Sequence, residues 1–149
     1  MSSAFVSFLH FVAVLGLASA LVVEWVLFSA TPTHREARLI QAADRWYGLF
    51  SVVLLTVGFA RVFWFEKGSA YYFANPFFHA KLGLFVIIGL LSIYPTLRFI
   101  KWRSQMTDGQ APVVLKHEFR TLRALLRTEL ALLAMVLVCA TLMARGVSF

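Results

Sequence analysis

Four long apolar runs divide the chain, at roughly Ala4–Phe28, Tyr47–Phe65, Phe77–Ile100 and Leu122–Ala144. Each is close to the ~20 residues that a helix needs to cross a hydrocarbon layer. Barrel strands are shorter, and backbone groups in lipid must bond internally, so the pattern predicts helices. The expected fold is an all-α membrane four-helix bundle forming a single domain over residues 1–149. Polar breaks separate the runs at Thr31-Pro32-Thr33-His34, before Asn75-Pro76, and at Ser104 to Pro112. Thr33 is placed to cap a short interfacial helix, and Pro76 suits the first turn of the third span. Residues 113–123 mix Val114, Leu115, Phe119 and Leu122 with Lys116, Arg120 and Arg123, as in a helix starting at a membrane surface. A docking helix for a cytoplasmic partner is the alternative there.

The phase of polar residues within the spans predicts which faces meet. His10, Ala13, Leu17, Ala20 and Glu24 share one stripe of the first span, and Asp44, Tyr47, Ser51, Leu54, Gly58 and Arg61 share one of the second. Small residues on such stripes allow close helix approach. In the third span His79, Gly83, Val86, Leu90 and Tyr94 form a comparable line, with Lys81 on roughly the opposite side, free to snorkel to headgroups. The fourth offers Glu129, Leu133, Val136, Ala140 and Met143.

Composition agrees with a lipid setting. Of 149 residues, 60% are hydrophobic and 14% charged, against about 25% charged in soluble domains. The net charge of +7 does not call for nucleic acid, because basic residues orient membrane chains. Ten of the fourteen Lys and Arg fall in the first and third loop regions, leaving Arg61, Lys67, Lys81 and Arg145 for the other side. Both termini are therefore expected on the outer, periplasmic side of a bacterial inner membrane. Ala18-Ser19-Ala20 resembles a signal-peptide cleavage site, but no basic residue precedes the run, which continues to Phe28 and reads as a retained span. The single Cys139 excludes an intramolecular disulfide and reads as packing.

Alternating span direction sorts the polar residues into two layers. The inner layer holds Glu24, Asp44, Arg45, Tyr94, Arg98, Arg127 and Glu129. With both signs in reach, ion pairing is expected there, with proton handling by Glu24 as the functional alternative. The outer layer holds His10, Arg61, His79 and Lys81. Ionisable groups inside a membrane are costly, which marks both layers as candidate sites. Two histidines at matched depth, with Ala13 and Gly83 one turn deeper, suit haem b between helices, with His10 and His79 on the iron and Arg61 and Lys81 on the propionates. Structural hydrogen bonds and a proton or metal site remain open alternatives. His10 and Glu24 are about 21 Å apart along their helix, too far for one small site. His34 and His117 lie in basic surroundings and read as solvated or interfacial.

Phe78-His79-Ala80-Lys81-Leu82-Gly83-Leu84 resembles the third-span motif of HemJ-type protoporphyrinogen oxidases. Phe8-Leu9-His10-Phe11-Val12-Ala13-Val14 is similar to that family's first-span histidine segment, and Asp44-Arg45-Trp46-Tyr47 to the entry of its second span. The chain resembles more closely a family of small bacterial membrane proteins of unassigned function, in Asn75 to Lys81 and in Leu90 to Thr96. The HemJ resemblance implies a haem-b protein in electron transfer or in porphyrinogen- or quinone-linked oxidoreduction. His10 and His79 are its implied ligands, with Lys81 near haem or porphyrin. The HemJ-type first span carries a Trp and then Pro-Arg toward its end, whereas this chain has Glu24-Trp25, a departure that bears on porphyrinogen oxidation more than on haem. The competing expectation is a non-enzymatic module whose polar seams contact a second copy or another membrane protein, without a cofactor.

Overall fold

The computed structural model describes residues 3–65 and 73–145. Four helices account for most of them: α1 (Ser3–Leu27), α2 (His34–Ala60), α3 (Pro76–Gln105) and α4 (Lys116–Ala144). All four are long and apolar enough to cross a membrane. α1 and α2 pack intimately as one hairpin, α3 and α4 as another, and lighter α1–α4 and α2–α3 contacts close the ring. The bundle has a terminal end, where α1 begins and α4 finishes, and a loop end, where the turns after α1 and α3 lie.

Local chemistry fixes the boundaries. Thr33 caps α2 in a capping box: its Oγ1 accepts from the Glu36 N–H at 3.2 Å, and Glu36 Oε2 accepts from the Thr33 N–H at 2.7 Å. Nothing between His34 and Tyr47 breaks a helix, so the expected short interfacial helix is continuous with the second span. For the same reason α3 continues past Ile100 to Gln105, and the surface helix expected over 113–123 starts at Lys116 and runs directly into α4. The helices thus extend beyond their apolar runs at the loop end and carry most of the basic residues there. Asn75 Oδ1 accepts from the Phe77 N–H at 2.9 Å, with Pro76 in the first turn of α3. Asp108 (φ 66°) and Gly109 (φ 75°) take left-handed conformations that reverse the chain after α3. At the terminal end α2 widens into a π-helical turn, Arg61–Phe65.

Three of the four expected seams face the bundle. Ala13, Leu17, Ala20 and Glu24 are buried on α1, Asp44 and Tyr47 on α2, and Glu129 and Leu133 on α4, where Val136, Ala140 and Met143 are half-buried. Gly16 sits against α2 so closely that a Cβ there would lie 2.5 Å from the Phe50 ring. The third seam differs from expectation. His79, Gly83, Val86, Leu90 and Tyr94 are all exposed, whereas Phe78, Ile88, Pro95, Phe99 and Trp102 are buried. Lys81 falls on that buried stripe, three residues after Phe78, and is half-buried. A span apolar all round gives no contrast between lipid-facing and bundle-facing sides, so a single histidine misassigned its phase.

The main core runs from the middle of the bundle to the loop end and includes Leu17, Leu21, Ile40, Ile88, Phe99 and Leu126. Among the described residues a small separate cluster forms at the terminal end, from Val62 and Phe78 with Met143 against them.

Candidate functional site

Buried and half-buried polar residues converge from all four helices. Glu24 comes from the last turn of α1, Asp44 and Tyr47 from α2, Ser92 and Thr96 from α3, and Glu129 from α4. The Thr96 hydroxyl donates to Asp44 Oδ1 at 2.6 Å, and the Tyr47 hydroxyl to Glu129 Oε2 at 3.3 Å. Ser92, which donates to the Gly89 carbonyl at 2.8 Å, lies beside the Tyr47 hydroxyl. Asp44 and Glu129 both lie within electrostatic range of Glu24. Glu24 is 2% exposed and Glu129 1%, and one oxygen of each (Oε1) has no hydrogen-bond partner.

The expected ion pairing does not occur in this cluster. Among the described residues no Lys or Arg lies within ion-pair distance of Glu24, Asp44 or Glu129. The nearby cations are committed elsewhere. Arg98 Nε lies 3.0 Å from Glu118 Oε1. Arg123 donates to the carbonyls of Trp25 at 2.5 Å and Phe28 at 3.0 Å, with its guanidinium 4.7 Å from the Trp25 ring. The last carbonyls of α1 attract a cation as a carboxylate does, and they lie nearer to Arg123 in the fold. Arg45 and Arg127 are exposed. Tyr94 is exposed too, beneath the Arg98 guanidinium at 5.7 Å.

A cleft of about 350 Å³ opens at the loop end between α2 and α3, and Asp44 contributes to its lining. Solvent therefore reaches the edge of the cluster from that end. Toward the terminal end Ala13 and Leu17 of α1 are buried and Leu54 of α2 is half-buried, leaving an apolar layer. Among the described residues no group of three or more His, Cys, Asp or Glu is placed to hold a metal ion.

The outer-layer residues of the sequence reading lie at the terminal end. His10 is half-buried and turned toward α2, its Nδ1 3.9 Å from where a Cβ on Gly58 would stand. Ala13 is buried one turn deeper, and Arg61 is half-buried in the π-helical turn. His79 is exposed; its Nε2 lies 2.9 Å from the Phe73 carbonyl, and its ring packs against Phe73 and Phe78. Gly83 is exposed, with open space where a Cβ would be. Lys81 turns to the bundle side, its Nζ 5.9 Å from the Phe78 ring. His10, Arg61 and Lys81 thus share one end of the bundle, while His79 and Gly83 lie on a different face of α3. Lys67 is outside the described residues.

Ser92 and Thr96, which lie in the Leu90 to Thr96 segment of the family resemblance, were not expected to take part in a site. Their signal is a pair of hydroxyls four residues apart around Pro95, inside an otherwise apolar helix.

Over residues 2–148 the chain matches the family model described as Predicted membrane protein (DUF2214). It belongs to the DUF2214 family. Membership agrees with four apolar helices and establishes a multi-pass membrane protein in contact with lipid. No curated protein and no solved structure matches the chain.

Proposed function

We propose that this DUF2214 member is a membrane module that takes up and releases protons at the buried cluster of Glu24, Asp44, Glu129 and Tyr47. One observation carries the proposal: Glu24 and Glu129 are almost fully enclosed, each with an unbonded oxygen, and no cation is paired with either. A carboxyl group desolvated in this way needs a proton or a cation to offset its burial. The surrounding hydroxyls suit a proton, because Tyr47 and Thr96 can reorient as a neighbouring carboxyl gains or loses one. The cleft at Asp44 supplies access from the loop end. In the proposed orientation that end, with most of the basic residues, faces the cytoplasm of a bacterial inner membrane.

Infrared difference spectra of the reconstituted protein across a pH step test this. The expected result is a protonated-carboxyl band that shifts in D2O, weakens in Glu24→Gln and in Glu129→Gln, and falls in the double variant to the contribution of Asp44. Glutamine keeps size and shape, so thermal unfolding should change little. A spectrum identical in wild type and the double variant would overturn the proposal.

A second reading is favoured by His10, Arg61 and Lys81, three titratable residues half-buried at the terminal end. The HemJ resemblance implies a planar group at this end. Haem b held by His10 and His79, beside Ala13 and Gly83, would supply one-electron chemistry with a quinone or porphyrin partner. His10 would approach such a group from α1 and His79 from the exposed face of α3, so joining them on one iron requires the His79 side chain to leave the Phe73 carbonyl. Protein purified after expression with haem should then show a Soret band that His10→Ala and His79→Ala abolish or shift; absence of the band refutes haem binding.

A further inference from the structure

The cleft at the loop end has chemistry that the buried carboxyls do not use. Its rim carries Arg38 and Arg45 from α2 and Arg103 from the last turn of α3, with His34 at the start of α2. All three arginines are exposed, and none forms an ion pair among the described residues. The wall is apolar, from Phe99, Ile100 and Met106. Its geometry is held by Gln41, whose Nε2 donates to the Phe99 carbonyl at 2.6 Å and ties α2 to α3 beside the opening. The one acidic group in the lining, Asp44, is set back from the rim and is 8% exposed with a hydroxyl bonded to it.

A second cleft adjoins the first and shares Arg45 with it; its remaining lining is Ala42, Trp46 and Leu49. Arg38, Ala42, Arg45 and Leu49 follow a 4-3-4 spacing and therefore form one stripe of α2, basic at the loop end and apolar deeper in. Trp46 and Leu49 are 56% and 51% exposed, so this surface faces the acyl region of the bilayer. From Arg38 to Leu49 the stripe is about 16 Å long. A cationic notch continuous with a lipid-facing apolar groove matches a ligand with an anionic head and a hydrocarbon tail.

We propose that these two clefts form a specific site for one anionic phospholipid. Its phosphate is held by Arg38, Arg45 and Arg103, and an acyl chain lies along Trp46 and Leu49. Guanidinium groups bind phosphate oxygens in a fork geometry that a zwitterionic head, with its own cation, satisfies less well. The site shares its cleft with the access route to Asp44, but it rests on the rim arginines and the lipid-facing stripe of α2 and not on the protonation of the carboxyls.

The test uses the full chain in phosphatidylcholine nanodiscs with phosphatidylglycerol as a minority component, followed by mass spectrometry of the lipid retained on extraction into detergent. Wild type is expected to retain phosphatidylglycerol well above its share of the bilayer. A basic residue near an anionic surface contributes about 1 kcal/mol, so Arg38→Gln, Arg45→Gln and Arg103→Gln should each lower retention about fivefold, and the triple variant on the order of a hundredfold. Arg120→Gln and Arg127→Gln, exposed on α4 and outside both clefts, should leave retention unchanged. Thermal unfolding of each variant should match wild type, because the altered side chains are exposed. No enrichment in wild type, or an equal loss from the α4 variants, would overturn the site in favour of general charge attraction. Displacement of the retained lipid by millimolar inorganic phosphate would overturn it in favour of a free-anion site.

Discussion

Phe28→Ala is expected to destabilise the bundle by about 3 kcal/mol. Phe28 lies just past the end of α1, 2% exposed, where the two hairpins meet. Its ring stacks on Trp102 of α3 at 6.1 Å and on Phe119 of α4 at 5.5 Å, and meets the Phe99 ring edge-on at 6.2 Å. Its own carbonyl accepts from Arg123. Contacts between the hairpins are otherwise light, so this aromatic cluster supplies much of the packing between them. Lipid tails are about as apolar as a phenyl ring, so the loss is one of dispersion contacts and cavity formation, which sets the value at the low end for Phe-to-Ala changes. Phe28→Leu, which fills most of the volume, should cost less than half as much. Denaturant titration of the detergent-solubilised protein measures both. Equal midpoints for Phe28→Ala and wild type would show that the hairpins are held together elsewhere.

The sequence made the spans and three of the seams readable because small and titratable residues recur on one stripe of α1, α2 and α4. Ala13, Leu17, Ala20 and Glu24 could not all face lipid without exposing a carboxylate to it. α3 carried no small or acidic residue at its fully buried positions. Ile88, Pro95, Phe99 and Trp102 look no different from the lipid-facing Val86, Ile87, Leu90 and Ile93, so periodicity alone could not phase the helix. The polar residue that drew attention, His79, faces outward, and Lys81 takes the inward position. In the buried cluster, the sequence placed Glu24, Asp44 and Glu129 at one depth but not the partners of the nearby arginines. Partner choice depended on which groups were left unsatisfied nearby. The end of α1 presented free carbonyls to Arg123, and the first turn of α4 presented Glu118 to Arg98. Neither competition is encoded in helical spacing, because each joins residues from different helices.

That second contact makes its own prediction. Glu118 is buried in the first turn of α4, where the positive end of the helix dipole favours a carboxylate, and Arg98 approaches it from α3 at 3.0 Å. Removing one partner leaves the other charge without compensation, and Arg98→Met is expected to cost about 2–3 kcal/mol, somewhat less than for a fully enclosed pair because Arg98 keeps 26% of its side-chain surface exposed. Glu118→Leu alone should cost less, since the freed guanidinium can turn to solvent and keep its place over Tyr94. The double variant, Arg98→Met with Glu118→Leu, should return to within about 1 kcal/mol of wild type, because an apolar pair of similar volume removes the desolvation penalty with the attraction. The same denaturant titration, run as a double-mutant cycle, isolates the coupling between the two residues. Additive losses in the double variant would mean that the pair does not act as a unit, and that α3 and α4 are joined at this end by Phe99, Trp102 and Leu122 alone.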